Sequence, residues 1–79
     1  MITIESFIGN IEQEFVDLEP GKLKPDTVFR DVFEWNSVNA LILIAMVNAE
    51  YDVELTADDL RQSKTIQDIF GIVKSRIRE

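Results

Sequence analysis

The chain has neither cysteine nor histidine among its 79 residues. Without cysteine there is no disulfide framework and no thiolate metal site. Without histidine the commonest general base and the imidazole metal ligand both disappear, and a nucleophilic serine is left with only lysine- or carboxylate-assisted variants. Glycine is scarce: Gly9, Gly21 and Gly71 stand alone, so there is no glycine-rich loop to cradle phosphates. The acidic stretch "DVELTADDL" lacks the central glycine and alternating ligands of an EF-hand. These absences leave no catalytic residue and no metal site to nominate. No run reaches the roughly 18 apolar residues of a membrane helix. The N-terminal "MITIESF" has Glu5 and no basic residue, unlike a secretory leader. Basic residues are outnumbered, 8 against 15 acidic, for a net charge of −7. A duplex-binding protein carries a basic footprint, so nucleic acid is excluded as a partner. The sign suits a basic protein partner, or simply solubility. The reading is a soluble, cytoplasmic protein.

What is present is a 46% hydrophobic chain, long enough for one small domain (1–79) and one core. Its apolar residues recur at helical spacing. Ile4, Phe7, Ile8, Ile11, Phe15 and Leu18 share an arc of roughly 100°, which predicts a first helix over 3–18, capped by Thr3 or Ser6 and stopped by Pro20 and Gly21. A long connection follows to Asn36, with Val28, Phe29, Val32 and Phe33 available to pin it and room for a short helical turn. Loops of this length tend to be functional. A second helix is predicted from Ser37 to about Glu50. Thr56, with Asp59 three residues on, predicts a short capped helix, and Thr65, with Asp68 three residues on, a last one. In the last helix Ile66, Ile69, Phe70, Val73 and Ile77 form the apolar face, and Lys74, Arg76 and Arg78 suit the negative end. The expected class is all-α: a bundle of four helices, three longer and one short.

The second helix is apolar on two sides. Ala40, Leu43, Ile44, Val47 and Tyr51 form one, and Val38, Leu41, Ile42, Ala45 and Ala49 another, with Asn39, Asn48 and Glu50 in the seams. In a small domain the second side meets a partner, packs in a homodimer or lies under the long loop. Ser37 opens this helix. It is either a cap or, if Asn36 does the capping, a free hydroxyl where amides and dipole favour an anionic linkage.

The residues then resemble a known family. "WNSV" is similar to the Trp-Asp-Ser-Leu form of the acyl carrier proteins. "LKPDTVFRDVF" resembles the loop before that motif. "ALILIAMVNAEYDVELTADDL" and "TIQDIFGIV" resemble the helices after it. The resemblance spans nearly the whole chain. It implies an acyl-carrier-like bundle that is not an enzyme, with 4′-phosphopantetheine from coenzyme A joined covalently to Ser37 and Asn36 and Val38 flanking it for recognition. It also implies partners: a phosphopantetheinyl transferase, and enzymes that load and transfer acyl or aminoacyl groups, all served by a monomer. Ala40, Leu43, Ile44 and Val47, opposite Ile66, Ile69 and Phe70, would line the space for an acyl chain. The sequence departs from the family at Asn36, usually aspartate, at Val38, usually leucine, and at Ile42, Asn48 and Ala49, where charge is frequent. A specialised lipid or secondary-metabolite carrier follows, docking through Val38, Ile42, Ala45 and Ala49. The alternative is an unmodified carrier-like interaction domain in which Ser37 is only a helix-start residue.

Overall fold

Helix α1 (Ile4–Glu14) starts where the Thr3 hydroxyl accepts a hydrogen bond from the Ser6 amide at 3.2 Å. The computed structural model describes residues 2–15, 21–32 and 35–77. Phe7 and Ile11 of α1 are fully buried. The helix ends at Glu14, short of the predicted residue 18, and Leu18 lies outside the described residues. Phe15 leaves helical geometry (φ −110°, ψ 88°) and buries its ring instead of continuing the spiral. Further along, the Gly21 amide donates to the Glu12 carboxylate at 2.8 Å, drawing the connection back over α1. Gly21 does so at φ 85°, a conformation that favours glycine.

The long connection contains the short helical turn it had room for, the four-residue α2 (Phe29–Val32). Phe29 is fully buried and Val28 half-buried, while Val32 is 36% exposed; Phe33 is outside the described residues. Helices α3 (Ser37–Tyr51), α4 (Ala57–Gln62) and α5 (Ile66–Arg76) complete the chain. Thr56 and Thr65 each form a full capping box, with Asp59 and Asp68 respectively, so each terminus gains two satisfied amides. Arg76 closes α5, and Arg78 lies outside the described residues. No strand occurs among the described residues. One isolated antiparallel bridge pairs Val28 with Thr65. Beside it the first amides of α5 find acceptors in the loop: Ile66 N–H donates to Thr27 C=O at 3.0 Å and Gln67 N–H to Pro25 C=O at 2.9 Å.

α1 packs on α3 and α5, and α4 also packs on α3 and α5. Phe7, Ile11, Leu43, Val47, Leu60, Ile66, Ile69 and Val73 meet in one core, joined from the connections by Leu23, Phe29, Val53 and Leu55. Each such side chain contributes about 1.5–3 kcal/mol by leaving water. The Phe7 ring lies 5.9 Å from Tyr51 and 5.6 Å from Phe70. Asn10 Nδ2 donates to the Tyr51 hydroxyl at 2.7 Å, so the half-buried end of α3 is fastened to α1.

Candidate functional site

The start of α3 separates two jobs that the sequence left joined. Asn36 is extended (φ −146°, ψ 177°), and its Oδ1 accepts from the Asn39 amide at 2.8 Å. Its carbonyl accepts from Ala40 N–H at 2.9 Å. Asn36 is therefore the cap, and Ser37 is the first helical residue, exposed to solvent. Among the described residues, the Ser37 hydroxyl makes no hydrogen bond, and the amides of Ser37 and Val38 have no acceptor. The first turn of α3 carries no acidic side chain. A free hydroxyl beside two free amides at the positive end of a four-turn helix fits an oxygen-linked phosphodiester.

Along α3 the apolar residues sort by burial. Leu43, Met46 and Val47 are buried, and Ala40 and Ile44 are half-buried against the core. On the opposite side Val38 and Leu41 are 63% and 64% exposed, and Ala45 and Ala49 are exposed with them. These four lie within roughly 80° of arc at 3.6 residues per turn. Ile42 sits at the edge of that stripe, half-buried and packed against the core. The stripe thus unites Val38, Ala45 and Ala49, includes Leu41, and leaves Ile42 as a shoulder. Glu50 is the sole charged residue of α3.

The seven residues named for an acyl chain share one cluster. Leu43, Val47, Ile66 and Ile69 are buried, and Ala40, Ile44 and Phe70 pack partly buried against them. Sequence reasoning missed Met46, which is 3% exposed. Its spacing of i+3 from Leu43 was the available signal. It also missed Arg30, whose side chain crosses to α4 and for which no local pattern gave a hint.

The perturbed ionisable groups lie on α4 and α5. The Arg76 guanidinium bonded to Asp59 is the main cause holding that carboxyl down at about 2, and the Thr56 amide adds to it. The Thr65 and Lys64 amides lower Asp68. Among the described residues no group of acids could hold a metal ion, and no helix is long and apolar enough to cross a membrane.

Comparison with known proteins identifies the family. The family described as the phosphopantetheine attachment site matches residues 6–73, and the chain belongs to it. Its cofactor is accordingly phosphopantetheine, covalently attached, and the protein is a carrier and not an enzyme. An acyl carrier protein of Bdellovibrio bacteriovorus is 24% identical over 75 residues, covering 95% of this chain and 96% of its own. One from Thermosynechococcus vestitus is 23% identical over 62 residues, covering 78% and 76%. The solution structure of a holo acyl carrier protein from Geobacter metallireducens superposes with a TM-score of 0.77 at 22% identity, over 96% of this chain and 86% of that one. The all-helical fold is shared with that solution structure.

Proposed function

We propose that Ser37 is the attachment point of the phosphopantetheine arm, and that the protein carries acyl or aminoacyl groups on it as thioesters. The observation that carries this reading is the division of labour at α3, where Asn36 caps and the Ser37 hydroxyl is free and exposed. In the loading step Ser37 Oγ forms a bond to the arm's phosphorus. The phosphoanhydride bond of coenzyme A breaks, adenosine 3′,5′-bisphosphate leaves, and the serine proton passes to a base of the transferase. The arm's terminal thiol then supplies the thioester chemistry. On this chain the amides of Ser37 and Val38 would be the donors available to the phosphodiester, and Asn36 and Val38 would flank it for the transferase.

The stripe of Val38, Leu41, Ala45 and Ala49 supports docking of loading and transfer enzymes by apolar contact, with Ile42 at its margin. An uncharged stripe on a chain of net charge −7 argues for a dedicated partner set, hence a specialised lipid or secondary-metabolite pathway. Ala40, Leu43, Ile44 and Val47, with Ile66, Ile69 and Phe70, are the side chains an acyl chain would displace. Residues 1–79 form one functional unit in this reading, a monomer in the cytoplasm. Asn36, in place of the family's aspartate, is the one observation that favours the second reading, a carrier-like interaction domain that is never modified. Protein purified from its own cells distinguishes them: a mass increment of one phosphopantetheine on the Ser37 peptide supports the carrier, and its complete absence supports the second reading.

A further inference from the structure

Arg30 lies half-buried on the four-residue turn α2, seven residues before Ser37 in sequence, yet its guanidinium is committed elsewhere. Nη1 donates to the Ser63 carbonyl at 2.8 Å and Nη2 to the Leu60 carbonyl at 2.7 Å. Both acceptors belong to the C-terminal end of α4, where carbonyls lack helical partners and the dipole is negative. The same guanidinium stands 4.8 Å from the centre of the Phe29 ring and 5.9 Å from that of Trp35. Those two rings meet edge to face at 4.8 Å. Phe29 is fully buried, so the stack has a fixed base. Trp35 immediately precedes Asn36, the residue that caps α3 and presents Ser37. A continuous set of contacts therefore runs from the α4 carbonyls through Arg30 and Trp35 to the start of α3. The Val28–Thr65 bridge and the loop carbonyls bonded to α5 hold the near side of the same segment.

We infer that Arg30 is a positioning residue for Ser37: it clamps the lead-in to α3 against the end of α4 and so fixes where the serine hydroxyl is presented. The planar fork suits this, since two carbonyls are held at once while the rings cover its face. The functional part rests on the reading of Ser37 as the attachment point; the clamp itself does not.

The test compares wild type with Arg30→Met, which keeps the length and removes the fork, and Arg30→Lys, which keeps the charge with a single point of contact. Apo protein is modified with coenzyme A and a broad-specificity phosphopantetheinyl transferase, and amide exchange is followed in the same proteins. Asn39 N–H is the reporter, because its protection depends on Asn36 staying in place. Ile69 N–H in α5 is the control for global unfolding. In Arg30→Met, exchange at Asn39 should rise about tenfold relative to Ile69. kcat for modification should fall about tenfold with KM within twofold, as expected when docking is intact but the nucleophile is misplaced. Arg30→Lys should recover part of both. Emission of Trp35, the chain's one tryptophan, should shift as the guanidinium leaves its ring. Asn39 exchange at the wild-type ratio, in either variant that folds, overturns the clamp. Wild-type kcat with altered exchange overturns its role at Ser37. Failure of wild type itself to be modified counts against the Ser37 reading, and Asn39 exchange then decides the clamp alone.

Discussion

Asp59 of α4 and Arg76 of α5 meet as a two-pronged pair, Nη1 to Oδ2 at 2.5 Å and Nη2 to Oδ1 at 3.0 Å. Asp59 Oδ2 also accepts from the Thr56 amide at 2.9 Å, completing the α4 capping box. One carboxylate thus caps its own helix and ties that helix to the end of the last one. Arg76 Nη1 also reaches the Glu54 carbonyl at 3.2 Å, bringing the α3–α4 connection into the same node.

The pair predicts a specific acid sensitivity. Asp59 is lowered from 3.8 to about 2 in the folded protein, chiefly by Arg76. A depressed carboxylate pKa contributes stability that is fully present above the unfolded value and is lost as pH falls through the folded one. The contribution is therefore complete above about pH 4 and fades towards pH 2, and solvent around the pair reduces it to about 1 kcal/mol. Urea unfolding of Asp59→Asn should show that loss at pH 7, with a flatter dependence of stability on pH between 4 and 2 than wild type.

Asp52 ends α3 in the left-handed region, φ 55° and ψ 39°, while its amide donates to the Asn48 carbonyl at 3.0 Å. Glycine meets no Cβ penalty there and is the usual residue at such a helix end. Asp52→Gly should raise unfolding free energy by about 0.5 kcal/mol with an unchanged helical signal. Asp52→Val should lower it by about 1 kcal/mol or more.

Docking separates Leu41 from Ile42. Leu41 is 64% exposed, so Leu41→Asp should leave melting nearly unchanged and weaken binding to a loading enzyme about tenfold or more. Ile42 packs against the core, so Ile42→Asp should lower stability by about 1–3 kcal/mol as well. An apolar stripe also predicts affinity that changes little with salt, because charge steering is what salt screens. Titrations at low and high ionic strength check this.

The sequence made some parts of this fold legible and hid others for identifiable reasons. The start of α3 and the caps at Thr56 and Thr65 were readable because capping depends on residue type at fixed short spacing. The end of α1 was misjudged because Pro20 and Gly21 were the visible breakers, whereas the backbone already leaves helical geometry at Phe15, where no helix-breaking residue type stands. Ile42 looked like part of the outer face on a wheel, yet the adjacent core reaches far enough round α3 to cover half of it. Ser37 could be named, but its freedom from capping was settled only by the Asn36–Asn39 bond. Arg30 could not be found from spacing, since its partners Leu60 and Ser63 lie 30 and 33 residues away.

Asn36 bears directly on modification. An aspartate there could make the same bond to the Asn39 amide and add a negative charge to the positive end of α3, worth about 0.3–1 kcal/mol. Asn36→Asp should therefore raise stability slightly, measured by urea unfolding. It should also speed modification by a broad-specificity transferase, since it restores the residue usual in the family.

The most direct measurement is the mass of the Ser37 peptide after apo protein, coenzyme A and a transferase from the protein's own source are incubated together. One phosphopantetheine on Ser37, and none on the Ser37→Ala protein, is the predicted result. An unmodified Ser37 with that transferase, or an arm that appears equally in Ser37→Ala, would contradict it.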